Sequence, residues 1–167
     1  PEKQVLSATA SGDLYNLTAF SMCAHNGTHI DAPFHFLKDG KTVYEDFGEM
    51  LFCHFGISGP MILSASAHLR PMQKDRYLVA IDLKPALDVQ TLDKRILSDF
   101  EKIKNRNFAN AFDALPPAKL REPFIKLTGI SPDKKINAIT AEERRRVVAL
   151  MKGIPVSVTG FRPITEA

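Results

Sequence analysis

The sequence predicts an α+β fold, a small β-rich part followed by a helical cluster. Three observations predict it. The front of the chain, up to Lys41, is rich in Ser, Thr, Ala, His and Gly and has no sustained helical period. From Thr91 onward, apolar residues recur at helical spacing, as in Leu92, Ile96, Phe100 and Ile103. Residues that start and stop helices punctuate the same half: Pro116-Pro117, Gly129, Thr140 with Glu143, and Gly153.

Taken in order, Asn16 to Cys23 alternates apolar and small polar residues and reads as a strand. Asp39-Gly40 is a turn signal, and Lys41 to Tyr44 is the return strand of a hairpin. Met50 to Phe55 is a short apolar run ending at Gly56, and Met61 to Leu69 suits a buried helix with Pro60 in its first turn. Tyr77 to Leu83 reads as a strand closed by Lys84-Pro85. Thr91 is placed to cap the first long helix. Asn107 to Ala114 predicts a shorter helix with Phe108 and Phe112 on one side. Another, opened by Pro116-Pro117, carries Leu120, Phe124 and Leu127 up to Gly129. Thr140-Ala-Glu-Glu143 is a capping box for a last helix with Val147, Leu150 and Met151 on its apolar face, and Pro155 to Thr159 forms a strand. These stripes are core, not a cofactor box.

The 167 residues suffice for one ordinary domain or two small ones, and 44% apolar with 25% charged residues is a soluble globular balance. A formal charge of +3 is too small to imply a nucleic-acid partner, and the run Arg144-Arg145-Arg146 reads as the solvated face of a helix. Cys23 and Cys53 form no ligand-spaced pair or disulfide framework, so a cytoplasmic setting is the expectation. No apolar run has the length of a membrane span, so no membrane partner is expected either.

The densest chemistry is His25-Asn-Gly-Thr-His29-Ile-Asp31-Ala-Pro-Phe-His35. Imidazole nitrogens and a carboxylate oxygen suit zinc or manganese, and His29 and Asp31, two apart, share a face in a strand. Gly27 allows a bend that brings His25 alongside. A metal there supplies hydroxide at neutral pH, and a further His nearby shuttles the proton.

That run is similar to the HxGTHxDxPxH signature of the cyclase family of metal hydrolases, which includes bacterial kynurenine formamidase. The resemblance implies His25, His29 and Asp31 as metal ligands and His35 as the catalytic acid/base residue. Family members complete a second metal site from far downstream, and nothing after Lys41 resembles that part. A mononuclear or incomplete site is the most expected.

From about Asp39 to Ala167 the chain resembles a different family, the bacterial FAD-dependent oxidoreductases of aminoacetone-oxidase-like type. Tyr44 to Pro60 (YEDFGEMLFCHFGISGP), Asn105 to Asn110, Thr140 to Arg146 and Val158 to Arg162 carry the likeness in order. In that family this region is an insert between two parts of an FAD-binding domain. The resemblance therefore implies FAD for the full-length flavoprotein only, and no cofactor-binding residue is assigned in this chain, which has no G-x-G-x-x-G.

The expected organisation is a cyclase-like metal-motif segment (1–43), a β-rich flavoprotein-insert-like part (44–90), a helical part (91–153) and a returning strand (154–167). The expected function is an accessory cap or insert domain of a flavin-dependent oxidoreductase fused to a partial metal-hydrolase motif. The alternatives are a zinc- or manganese-dependent hydrolase of an amide or ester, and a non-enzymatic chimera. A small-molecule substrate and a homo-oligomer stay open.

Overall fold

The computed structural model describes residues 28–53, 56–74, 76–112 and 115–162. It has the expected α+β composition, in which a curled antiparallel half-barrel sheet accompanies four α-helices. Contacts divide the chain into two units, residues 1–81 with 154–167, and residues 82–153.

The sheet unit is built on a long hairpin. Strand β1, Thr28–Lys38, pairs with β2, Lys41–Cys53, from Thr28↔Phe52 to Lys38↔Lys41. Asp39 (φ 50) and Gly40 (φ 77) make the two-residue connection. Positive φ at both central positions gives a twist that matches the strands, and Asp-Gly is suited to it. The register slips once, between Phe36 and Leu37, where Phe36 faces Tyr44 but Leu37 faces Thr42. The hairpin extends the predicted return strand through the Met50 to Cys53 run, and position 43/44 lies inside β2. The strand read from Asn16 to Cys23 lies outside the described residues.

Strand β3, Gly56–Ser58, pairs with the end of β2; β4, Tyr77–Ile81, pairs with the second half of β1; and β5, Ile154–Val158, pairs with β4. The order is β3-β2-β1-β4-β5, all antiparallel. Period-two alternation puts Ala32, Phe34, Phe36, Met50, Phe52, Tyr77, Val79 and Ile81 in the core. Helix α1, Pro60–Ser66, starts on its proline as predicted, packs on β2 and buries Met61 and Ala65.

The second unit is inserted between β4 and β5. Helix α2, Val89–Lys102, buries Leu92, Ile96 and Phe100, but its cap is Asp88, not Thr91. The Asp88 carboxylate accepts the Thr91 amide at 2.8 Å and the Thr91 hydroxyl at 2.7 Å, so Thr91 is the partner of the cap. A carboxylate at this end also meets the helix dipole favourably, which explains why the helix begins earlier.

The helix expected at 107–114 is reduced to a 3-10 turn, Phe108–Asn110. Its amides are taken by another segment: Phe108 N–H donates to Lys134 O and Ala109 N–H to Pro132 O, both at 2.8 Å. Phe108 and Phe112 are buried as expected, with ring centroids 5.2 Å apart, and Phe112 continues edge-on to Phe124 at 5.2 Å. Helix α3, Arg121–Thr128, follows a 3-10 turn at Ala118–Leu120 and ends at Gly129 with φ 67, a left-handed stop. Phe124 and Ile125 are buried, whereas Leu127 is half-buried.

Helix α4, Ala141–Lys152, has both halves of the capping box: Glu143 N–H donates to Thr140 Oγ1 (3.2 Å) and Thr140 N–H to Glu143 Oε2 (2.7 Å). Its buried face is Val147, Val148 and Met151, with Leu150 only half-buried. The arginine run departs from a plain solvated face. Arg144 donates Nε and Nη2 to the two Asp93 oxygens at 2.7 and 3.1 Å, joining α4 to α2, and Arg146 donates to Thr128 O at 3.2 Å.

The two ends of this unit are tied together. Lys152 Nζ lies 2.6 Å from Asp82 Oδ2 and donates to the Lys84 and Leu87 carbonyls at 3.1 and 2.7 Å. Leu83 N–H donates to Met151 O at 2.8 Å. Three acceptors surround one ammonium, which carries three donors.

Candidate functional site

The hairpin is where the predicted chemistry falls. His25 lies outside the described residues. His29 and Asp31 belong to β1, across from Leu51 and Glu49 in register, and their backbone positions have the same parity as His35. Asp31 and His35 lie four positions apart on a continuous strand, roughly 13 Å at the usual rise per residue. A fold-back that would carry His35 to a metal-bound water is not part of this strand geometry. His35 instead points its Nδ1 at Glu45 Oε2, 3.3 Å away on the facing position of β2. Side-chain exposures of 40% and 63% make this a solvent-screened pair. No group of three or more His, Cys, Asp or Glu among the described residues is arranged to hold a metal ion.

A second polar cluster lies on the other parity of β2. Tyr44 Oη donates to Asp46 Oδ2 at 2.8 Å, and the Phe47 amide donates to Asp46 Oδ1 at 2.8 Å. The hydrogen bond from Tyr44, then that from the Phe47 amide, holds the Asp46 carboxyl below its ordinary range. The same bond to Asp46, helped by partial desolvation and the Asp46 charge, pushes the Tyr44 phenol up, against a smaller opposing contribution from Ser64. His68, just beyond α1, stacks on the Tyr44 ring at 4.6 Å and 22°. A phenol so held stays protonated and serves as a hydrogen-bond donor, not as a nucleophile. Tyr44 and Asp46 stand two apart in a strand, a spacing from which their common face follows, but nothing local in the sequence links them to His68.

The turn ahead of α1 explains its glycine without a ligand. Gly59 has φ 112, and a Cβ there would stand 3.0 Å from Met50 Cα and 3.1 Å from Glu49 O. The missing side chain is what lets this turn lie against the β2 backbone.

With sheet unit, helical unit and hairpin in place, the comparison with known families is decisive: the family model for the HI0933-like protein barrel and H2TH domain matches residues 18–167. This chain belongs to the HI0933-like family. The curled sheet and the inserted helices correspond in kind to the two parts named in that description. The HI0933-like family is tied to FAD-dependent oxidoreductase-like proteins, which agrees with the flavoprotein resemblance. The match also runs through residues 18–41, where the cyclase likeness was read, and gives the hydrolase assignment no support.

Among the described residues there is no dinucleotide cradle for FAD. The sequence has no G-x-G-x-x-G. The strand pairs among the described residues are all antiparallel, whereas a dinucleotide cradle is built on a parallel βαβ unit. The space beside the Gly59 Cα is already taken by the β2 backbone.

Proposed function

We propose that this chain serves as the accessory, or insert, domain of an FAD-dependent oxidoreductase, contributing shape and cover around chemistry performed elsewhere. The observation that supports this most is the family match over residues 18–167 in a chain whose sequence carries no G-x-G-x-x-G. The protein is expected to purify colourless and to leave the fluorescence of added FAD unchanged. Stoichiometric yellow flavin retained after dialysis would overturn the reading, because the domain would then hold the cofactor itself.

A second reading concerns the front motif. It is supported by the placement of His29 and Asp31 two apart in β1, a spacing that gives the two positions a common face. In this reading His25, His29 and Asp31 hold one zinc or manganese ion, with water completing the coordination and little turnover. Calorimetric zinc titration should show binding in the parent, none in His29→Ala or Asp31→Ala, and near-parent binding in His35→Ala. A parent indistinguishable from Asp31→Ala sinks the metal site and leaves the accessory reading untouched.

A further inference from the structure

The charge of the chain is divided unevenly. Residues 82–153 carry fifteen Lys and Arg against ten Asp and Glu, a net of +5, while the remaining residues carry seven against nine, a net of −2. Three acids of the sheet unit sit together on β2. Positions 44–50 hold Glu45, Asp46 and Glu49 and no Lys or Arg, and all three carboxylates are on exposed residues. Phe47 stands among them with 62% of its surface in solvent.

The same stretch is an open sheet edge. On one side β2 pairs with β1 along its length; on the other, among the described residues, β3 covers only Leu51, Phe52 and Cys53. Towards the hairpin turn, the register slip passes over Val43, and a bulge of this kind sharpens the local twist. A regular edge therefore runs over positions 44–50, between the bulge and β3. Its outward N–H and C=O groups are a template for another strand. Period-two alternation sets Glu45, Phe47 and Glu49 on one face of the strand, away from buried Met50.

We infer that this edge docks an extended segment of a partner protein, one that carries a basic, an apolar and a second basic residue at alternate positions. Strand addition satisfies the outward main-chain groups. In register, the basic side chains lie beside Glu45 and Glu49 and the apolar one beside Phe47, cross-strand pairs that favour association. The same charges oppose a second copy of this chain on the edge. Two β2 strands paired antiparallel and centred on Phe47 would set Glu45 against Glu49 twice, and like charges directly opposite are destabilising.

Fluorescence anisotropy of a labelled peptide, Thr-Lys-Thr-Val-Thr-Lys-Thr, tests the edge on the whole chain. This peptide is expected to bind, and the same peptide with Glu in place of Lys is not. Glu45→Lys with Glu49→Lys should weaken the lysine peptide roughly tenfold or more and confer binding of the glutamate peptide. Alternate residues of an added strand turn their N–H groups toward the edge. Of two lysine peptides, one N-methylated at its lysines and valine and the other at its inner threonines, one should bind like the parent and the other not at all. Circular dichroism verifies folding, and Glu45→Gln with Glu49→Gln replaces the Lys pair if that pair unfolds, with the same loss of the lysine peptide expected. No binding of the lysine peptide overturns the proposal, as does unchanged binding in the Glu45 and Glu49 variants. Equal effects of the two N-methylated peptides overturn it as well, since the contact would then be charge attraction without strand pairing. A dimer in sedimentation experiments that the peptide dissociates would assign the edge to a second copy instead.

Discussion

Gly59 carries more of the sheet unit than its size suggests. Its backbone adopts φ 112, and two atoms of the β2 main chain occupy the space next to its Cα. A methyl group would meet strain and backbone crowding together, and β2 cannot yield as a flexible side chain would. Gly59→Ala is expected to cost about 1–3 kcal/mol in a urea titration. A loss below a few tenths of a kcal/mol would show that the turn can relax away from β2. Other residue-scale features were open to direct reading. Asp39-Gly40 is an ideal pair for a two-residue hairpin turn, and Pro60 falls where a helix tolerates a missing donor. The stacking of His68 on Tyr44 was not legible, because it joins residues twenty-four apart through the packing of α1 on β2. The His35–Glu45 pair was equally hidden: it depends on register, and a register one residue away would place a different residue opposite His35.

At the scale of elements, α4 separates the contributions of capping and packing. Thr140→Ala removes the acceptor for the Glu143 amide and should cost about 1 kcal/mol. Val147 is fully buried, so Val147→Ala should cost about 2 kcal/mol, more than Leu150→Ala at the half-buried neighbouring position. Denaturant midpoints of the three variants give the order, and a larger loss at Leu150 than at Val147 would mean that the helix is rotated from the face described. Periodicity located α2, α3 and α4 because each buries one stripe. It erred where the backbone of one segment bonds to another: at Phe108 and Ala109, residues 132–134 accept the amides that a helix would otherwise use. Phe108 and Phe112 still reach the core, so side-chain burial was readable where backbone conformation was not.

For the molecule as a whole, local pattern identified an α+β chain but could not show that β5 returns to pair with β4 after seventy-two intervening residues. That pairing makes the helical unit an insertion. The same long-range pairing gives the charge of the chain its meaning: an average of +3 says little about two units of opposite net sign. The front motif is the reverse case. Its residue types were conspicuous in the sequence, yet their chemistry depends on geometry around His25, which lies outside the described residues.

The tie between the ends of the inserted unit also sets how it would bear tension. A pull on the chain enters at Asp82 and leaves at Gly153, and those ends are already fastened by Lys152 to Asp82 and by Leu83 to Met151. Load therefore passes across the fastening instead of along α2, α3 and α4, and the helices stay slack while it holds. Pulled apart from one end, such contacts part in succession, each carrying the load alone, so the threshold is set by the strongest single contact among the three acceptors of the Lys152 ammonium and the Leu83–Met151 hydrogen bond. Once they yield, the load reaches the helices, and full unfolding of the seventy-two residues would release more than 200 Å of extended chain at about 3.3 Å per residue.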